Sequence, residues 1–373
     1  MPLTHMLYPN AENSHILAVG AAHYGIVPRI KDDPLTKPYL RTNLWNIDFD
    51  NPVGLAAGFD KDGEAINGLS YLGFGFLELG STTPEPQKGN IFPRVFRLPQ
   101  DRAIINRYGF NSAGHDKMYD NLKLNEQIIN DRNIVIGINL GKNRTSMDAT
   151  LDYIKGLRKF YHLDSVKYFV INISSPNTPK LRDIQNRNEL SSLLDQVLRE
   201  KLILEKCTQT QKPLLLKLAP DLSDTQMRDI AEIVIKYSKH GKDHSCIDGL
   251  IISNTTIQRP PDLKSEPKLV TEAGGLSGSP LRQLSTKAIK KMYILTKGSV
   301  PIVGVGGIES GMDAYEKIIA GASLVQLYTS MAYTGPQIVR EVKFELAEIL
   351  AQNGFHNVRE AVGRDVKYHE LSK

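Results

Sequence analysis

The chain holds only two cysteines among its 373 residues, Cys207 and Cys246, and neither stands in a metal-ligand spacing. Two isolated thiols suit a reducing compartment and argue against a disulfide framework. The nine histidines form no HExxH and pair with no cysteine, so no metal site is expected. No apolar run approaches the roughly 20 residues that span a bilayer. Residues 1–28 contain no lysine or arginine, so the positive start of a secretory signal and the arginines of a transit peptide are both missing. The net charge of +5 is spread without a basic block, which argues against a nucleic-acid footprint. No GxGxxG follows an apolar run, which counts against a nicotinamide-binding Rossmann domain. No low-complexity stretch or Pro/Gly-rich linker divides the chain.

What is there is an ordinary globular balance, 41% hydrophobic and 23% charged, which supports a folded core. The length fits one large α/β barrel or two smaller domains. Short apolar runs alternate with longer amphipathic segments. The runs at 52–57, 75–80, 134–140, 168–173, 214–218, 249–253, 301–305 and 323–328 read as strands. Between them, Leu190, Leu193, Leu194, Val197 and Leu198 form one apolar helical stripe, and Ile230, Ile233 and Val234 form another behind the caps Ser223 and Asp224. A third helix is expected over 308–320, closed by Gly321. Such alternation gives a parallel sheet, and eight repeats fit a closed barrel better than an open one. The expected fold is therefore α/β, a (β/α)8 TIM barrel over 41–373 with a small N-terminal helical element over 1–40. In that element Ile16, Leu17, Val19 and Gly20, with His23 on the same side, mark a short helix. An irregular connection bearing Pro28, Pro34 and Pro38 follows. Residues 237–247 and 365–373 read as solvated surface.

Barrels of this kind place their chemistry at the C-terminal strand tips. The most informative tip is Asn172-Ile173-Ser174-Ser175-Pro176-Asn177-Thr178, two amides, three hydroxyls and a proline after an apolar run. By itself it reads equally as an Asn/Ser-rich turn. The other tips favour a site: Ala57, Gly58 and Lys61 after strand one, Ser81 and Thr82 at strand two, and Asn139 in strand three. Ser253, Asn254 and Thr255 follow strand six, and Tyr328 and Thr329 follow strand eight. Lys217 lies inside the fifth apolar run, where a lysine is costly unless its ammonium finds a partner. Snorkelling at an edge is the bland account; an anionic or electron-rich ligand in the barrel mouth is the better one. Gly306-Gly307, read as opening the helix after strand seven, and the small residues 274–278, with Ser277 and Gly278, are suited to approach a phosphate. A ring of amides suits a planar ligand rich in carbonyl and N–H groups.

The stretches Ala56-Ala57-Gly58-Phe59-Asp60-Lys61-Asp62-Gly63, Asn106-Arg107-Tyr108-Gly109-Phe110-Asn111, Asn139-Leu140-Gly141-Lys142-Asn143 and residues 172–178, in this order and spacing, closely resemble dihydroorotate dehydrogenase. So do 217–221, Asn254-Thr255-Thr256, 274–278, 304–307 and Leu327-Tyr328-Thr329. Serine at 175 and the extra N-terminal element resemble the class 2, quinone-reducing branch, since class 1 enzymes carry cysteine as the base. The resemblance implies an FMN-dependent barrel that oxidises dihydroorotate to orotate in pyrimidine (UMP) synthesis and passes the electrons to ubiquinone. It implies that Ser175 is the general base and that Lys61 faces the substrate carboxylate. Asn106, Asn172, Asn177 and Asn254 would hold the pyrimidine ring beside Thr255 and Phe110. It places Lys217 at the flavin edge, with Ala57, Gly58, Ser81, Thr82, Asn139, Asn172 and Ser253 around the ring. Ser277, Gly278, Gly306, Gly307, Tyr328 and Thr329 would then surround the ribityl chain and phosphate.

His15, Arg97 and Tyr328 would form the polar end of a quinone tunnel, where the N-terminal helical pair meets the membrane surface; without the resemblance His15 is an ordinary helix-surface histidine. The segment between Pro9 and His15 is longer than the family pattern, which leaves any part for Met6 or Leu7 open. The implied location is the mitochondrial inner membrane, peripheral or anchored by an upstream segment. The competing readings are a class 1-like flavin barrel that uses fumarate or NAD, and a non-catalytic ligand-binding barrel.

Overall fold

The computed structural model describes residues 10–31 and 33–366. Met6, Leu7 and most of the C-terminal extension therefore lie outside the described residues. The strands in chain order are β1 (Thr42–Leu44), β2 (Ile47–Phe49), β3 (Val53–Leu55), β4 (Phe76–Thr82), β5 (Val95–Leu98), β6 (Ala103–Asn106), β7 (Ile136–Leu140), β8 (Val166–Asn172), β9 (Leu214–Leu218), β10 (Gly249–Ile252), β11 (Gly275–Gly278), β12 (Ile302–Val305) and β13 (Ala322–Leu327). Eight of them close a barrel in the order β3-β4-β7-β8-β9-β10-β12-β13, and β13 pairs back onto β3. Every pairing in the barrel is parallel. All eight expected strands are present, with no end displaced by more than two residues.

The N-terminal end of the barrel is stoppered. Trp45 and Asn46 both adopt left-handed conformations (φ 56° and 58°), which turn β1 into β2 as a two-residue hairpin. Trp45 Nε1 donates to the Asp248 carbonyl at 2.8 Å. Above it Phe49, Phe76 and Tyr168 fill the barrel axis with Val170, Leu215, Ile251, Val303 and Leu324. Glycine in β7 makes room for this plug, because a methyl group on Gly137 would overlap the buried Tyr168 ring. Gly137→Ala is expected to lower unfolding stability by about 1–3 kcal/mol through overpacking, read as a lower denaturant midpoint. An unchanged midpoint would show that the ring has room to move.

The helices follow their capping chemistry. Helix α1 (Ala11–His23) starts where Asn10 Oδ1 accepts from the Glu12 N–H at 2.9 Å. Helix α2 (Arg187–Thr208) buries the expected leucine stripe. Helix α3 (Asp224–Tyr237) opens on a full capping box, with Ser223 and Gln226 exchanging bonds; Asp224 is its first residue rather than its cap. Helix α4 (Gly311–Ile319) starts later than expected, because Ser310 Oγ captures the Asp313 N–H. Gly306 and Gly307 thus lie in the preceding loop and do not open the helix. Helix α5 (Thr329–Thr334) is a short element directly after β13.

The N-terminal element has the expected short helix, 13 residues long, and after the irregular connection a four-residue helical turn at Lys37–Leu40. Two features depart from expectation. Residues 274–278 are largely strand: β11 pairs with β6, and β6 with β5, as an antiparallel sheet separate from the barrel. The stretch 237–247 is not all solvated, since Tyr237, Ser245, Cys246 and Ile247 are buried.

Candidate active site

Lys217 and Glu78 are the centre from which the site is built. Lys217, on β9, sends its ammonium into the barrel, where Nζ lies 3.3 Å from Oε1 of Glu78 on β4. Both side chains are buried, so the pair survives only if its remaining valences are filled. On the carboxylate they are: Asn139 Nδ2 donates to Glu78 Oε1 at 2.7 Å, and Gln326 Nε2 donates to Glu78 Oε2 at 2.6 Å. Lys217 is neither snorkelling nor dependent on a ligand for its counter-charge. The same reasoning that marked Lys217 applies to Glu78, a carboxylate inside Phe76-Leu77-Glu78-Leu79 that was not singled out from the sequence.

Above this pair runs a net of amides. Asn139 Oδ1 accepts from the Ser81 hydroxyl and, at 3.2 Å, from Asn172 Nδ2. Asn172 Oδ1 accepts from the Ser174 hydroxyl at 3.0 Å and from Asn254 Nδ2 at 3.3 Å. Asn177 Nδ2 donates to the Asn106 carbonyl at 3.1 Å, which ties the β8 tip to the β5–β6–β11 sheet. Ser175 is buried, and its Oγ accepts from the Asn177 N–H at 3.3 Å. That bond favours the more negative form of the oxygen. Thr178 Oγ1, three residues on, is buried with no protein partner.

Arg182 fastens this tip. Its Nε donates to the Ser174 carbonyl at 3.0 Å, Nη2 to the Thr255 carbonyl at 2.9 Å, and Nη1 to Asp221 Oδ2 at 2.7 Å. One guanidinium thus joins the loops after β8, β9 and β10.

A continuous cavity of about 430 Å³ opens from this net. Every candidate site residue singled out from the sequence lines it except Thr82 and Asn139, which do not reach its wall. Asn139 stands behind, holding Ser81, Asn172 and Glu78 in place, and the Thr82 hydroxyl lies 3.4 Å from that of Ser112. At one side Gly306 and Gly307 take positive φ values of 123° and 71°, open to glycine. Near them Thr329 Oγ1 donates to Ser277 Oγ at 2.9 Å. Ser330 Oγ and Gln326 Oε1, both in lining residues, are buried without a protein partner. A buried cation, convergent amides and backbone N–H groups in glycine loops fit a planar heterocycle bearing a phosphate.

At the other end the wall turns apolar, with Ala18, Ile26, Val27, Leu69, Leu72 and Met331. His15 of α1 looks into it. Its Nδ1 is 3.2 Å from the Tyr328 hydroxyl, and its ring stands edge-on to Phe59 at 5.5 Å. Burial, helped by the Lys61 charge, lowers the His15 pKa to about 3, so the ring is neutral near pH 7. Arg97 Nη2 donates to Ser14 Oγ at 3.2 Å. Between the two ends, Lys61 Nζ sits 3.7 Å from the Tyr108 ring centre, and burial lowers its pKa to about 8.

Glu78, Tyr108, Arg182 and the buried Glu12–Arg94 pair were missed. Glu78 carried a signal, a charge inside an apolar strand; Arg182 carried none, because it lies in the helical turn Leu181–Gln185 past the β8 tip. Glu12 and Arg94 carried none, because they are 82 residues apart in sequence.

The dihydroorotate dehydrogenase family profile matches residues 39–350. The chain is 49% identical over 360 residues to the mitochondrial dihydroorotate dehydrogenase (quinone) of Mus musculus, covering 95% of this chain and 86% of that one. It is 46% identical over 356 residues to the dihydroorotate dehydrogenase (quinone) of the bacterium Azorhizobium caulinodans, covering 95% and 96%. Among solved structures it superposes on the Eimeria tenella dihydroorotate dehydrogenase in complex with ferulenol, with a TM-score of 0.88, 43% identity and 96% of both chains covered. The chain belongs to the dihydroorotate dehydrogenase family, a flavin-dependent family, in its quinone-reducing branch.

Proposed function

We infer that this protein oxidises (S)-dihydroorotate to orotate in pyrimidine biosynthesis, with FMN as its flavin and ubiquinone as the final oxidant. The observation that carries this reading is a cavity with two chemically different ends, amides and Ser175 at one and apolar side chains of α1 at the other. When bound, FMN would supply the hydride acceptor for the substrate and the electron donor for the quinone. The rest falls to this chain's own residues.

The Lys61 ammonium binds the substrate carboxylate, and Asn106, Asn172, Asn177 and Asn254 hold the ring edges with Thr255 and Phe110 beside them. Ser175 Oγ takes the ring proton, and the unpartnered Thr178 hydroxyl is available to pass a proton on. Lys217 supplies positive charge at the flavin edge, which favours electron uptake there. Ala57, Gly58, Ser81 and Ser253 shape the flavin site, with Thr82 and Asn139 supporting it from behind the wall, and Gly306, Gly307, Gly278, Ser277, Tyr328 and Thr329 shape its phosphate end. His15, Arg97 and Tyr328 meet the quinone head.

Residues 1–40 form the element that faces the membrane, and 41–373 the catalytic barrel. Ile16, Tyr24, Ile26, Ile91 and Phe92 are exposed, an apolar fringe suited to a lipid surface. Among the described residues no helix is long and apolar enough to cross a membrane. Named relatives include mitochondrial and bacterial proteins; for this chain the proposed site is the mitochondrial inner membrane.

Anaerobic mixing of the purified protein with dihydroorotate is expected to bleach a flavin band near about 450 nm, and a ubiquinone analogue should restore it. Restoration by fumarate or NAD in place of the quinone would overturn the oxidant. A colourless protein would overturn the flavin.

A further inference from the structure

Lys61 does not reach the cavity alone. Its ammonium rests on the Tyr108 ring at 3.7 Å from the centroid, a cation–π distance. The Arg94 guanidinium carbon is 5.2 Å from the same centroid. Arg94 is itself clamped. Its Nε lies 3.1 Å from both Glu12 carboxylate oxygens, Nη2 is 2.8 Å from Oε1, and Nη1 donates to the Lys88 and Asn90 carbonyls. Both Glu12 and Arg94 are buried. Glu12 lies one turn before His15 on α1, the helix whose other residues wall the apolar end of the cavity. A continuous line of contacts therefore runs from the quinone side of the cavity to the substrate side: Glu12, Arg94, Tyr108, Lys61.

We propose that Glu12, through its ion pair with Arg94 and the Tyr108 ring, positions the Lys61 ammonium for the substrate carboxylate, so that the helix on the quinone route also sets dihydroorotate affinity. This rests on the reading of Lys61 as the carboxylate's partner. The physical reason is local charge balance. Arg94 and Lys61 are two cations sharing one aromatic ring, and in a poorly hydrated site their repulsion is tolerable only while Glu12 neutralises one of them. The other charged or titratable groups facing Lys61 are Asp60 and Asp62 on its own segment and His15 on α1. Burial holds His15 neutral, and the two aspartates stay in place when α1 is altered. Glu12 is thus the counter-charge that the N-terminal helix alone contributes. Losing it also shifts the pH at which Lys61 keeps its proton. Glu12 raises that pKa and Arg94 lowers it, so removing the carboxylate moves it down from about 8. Substrate binding then weakens from a lower pH upward.

The test is anaerobic flavin reduction by dihydroorotate at a series of substrate concentrations and pH values, in the FMN-loaded protein. Glu12→Gln and Tyr108→Leu are each expected to raise the substrate Kd about tenfold, with a much smaller change in the limiting reduction rate. In Glu12→Gln the rise of Kd with pH should begin at lower pH than in the parent. Glu12→Asp and Tyr108→Phe, which keep the charge and the ring, should restore most of the affinity. Tyr108→Leu leaves the ion pair untouched, so it reads the coupling even if Glu12→Gln loosens α1. Lys61→Met separates the layers. If it raises Kd while Glu12→Gln and Tyr108→Leu leave both Kd and its pH profile unchanged, the coupling is wrong and the Lys61 assignment stands. If Lys61→Met leaves Kd unchanged, the assignment fails and takes the coupling with it.

Discussion

Ser175→Ala is expected to slow reduction of the flavin by dihydroorotate by roughly 10²–10⁴-fold, the usual cost of removing a general base, while the protein keeps its FMN. Serine is a weak base on its own acidity, so its surroundings have to help. The structure provides two aids. The Asn177 N–H points at Ser175 Oγ from 3.3 Å, which favours a proton-poor oxygen. The segment is also stiff, because Arg182 ties Ser174 to the loops after β9 and β10, and the Tyr153 hydroxyl donates to the Asn172 carbonyl at 2.9 Å. Alanine at 175 removes the oxygen and leaves those ties intact, so substrate affinity should change far less than the reduction rate. The measurement is single-turnover stopped-flow absorbance under argon. Reduction within about threefold of the parent rate would rule Ser175 out as the base, since that is far below the effect of any positioned proton acceptor.

How much of the molecule is legible in its sequence depends on whether a residue's meaning is local. The barrel strands were legible because each is a short apolar run between helical stripes, and the tips because polar side chains crowded at the end of such a run fall where this architecture gathers its chemistry. Residues 172–178 are the clearest instance. The β5–β6–β11 sheet was not legible. Its strands are four residues long, and Gly275–Gly278 carries two glycines that read as a phosphate loop; only the pairing of Leu276 with Ile105 and of Gly278 with Ala103 makes it a strand. The start of α4 was displaced for a similar reason, since Gly306-Gly307 looked like a helix opening but Ser310 supplies the cap. Lys217 was recognised as anomalous, but only a ligand was weighed against snorkelling and a protein counter-charge was not. A buried lysine calls for an anion, and the one that answers it lies on β4, 139 residues away, at a separation no periodicity reports.

That buried partnership carries the second large effect. Glu78→Leu is expected to destabilise the fold by about 3–5 kcal/mol, because it strands the Lys217 ammonium in a desolvated barrel and leaves the Asn139 and Gln326 amides without their acceptor. Lys217→Met should cost a similar amount by stranding Glu78, although Asn139 and Gln326 still donate to that carboxylate and soften the loss. The double variant, Glu78→Leu with Lys217→Met, removes both charges at once. It should therefore be more stable than the sum of the two single losses predicts, by about 2 kcal/mol or more in a double-mutant cycle. Flavin reduction should not follow stability. The double variant regains a sound barrel yet still lacks the cation proposed for the flavin edge, so its rate should stay near that of Lys217→Met. Equilibrium denaturation gives the first quantity and stopped-flow reduction the second. If stability and rate returned together in the double variant, Lys217 would be a structural lysine and its electrostatic part in the chemistry would fall. If the stabilities were simply additive, the pair would be no pair, and the cost of each charge would have to be met by water within the cavity. The expected split, restored fold without restored rate, would identify Glu78 as the residue that makes a cation tolerable inside the barrel and Lys217 as the one that uses it.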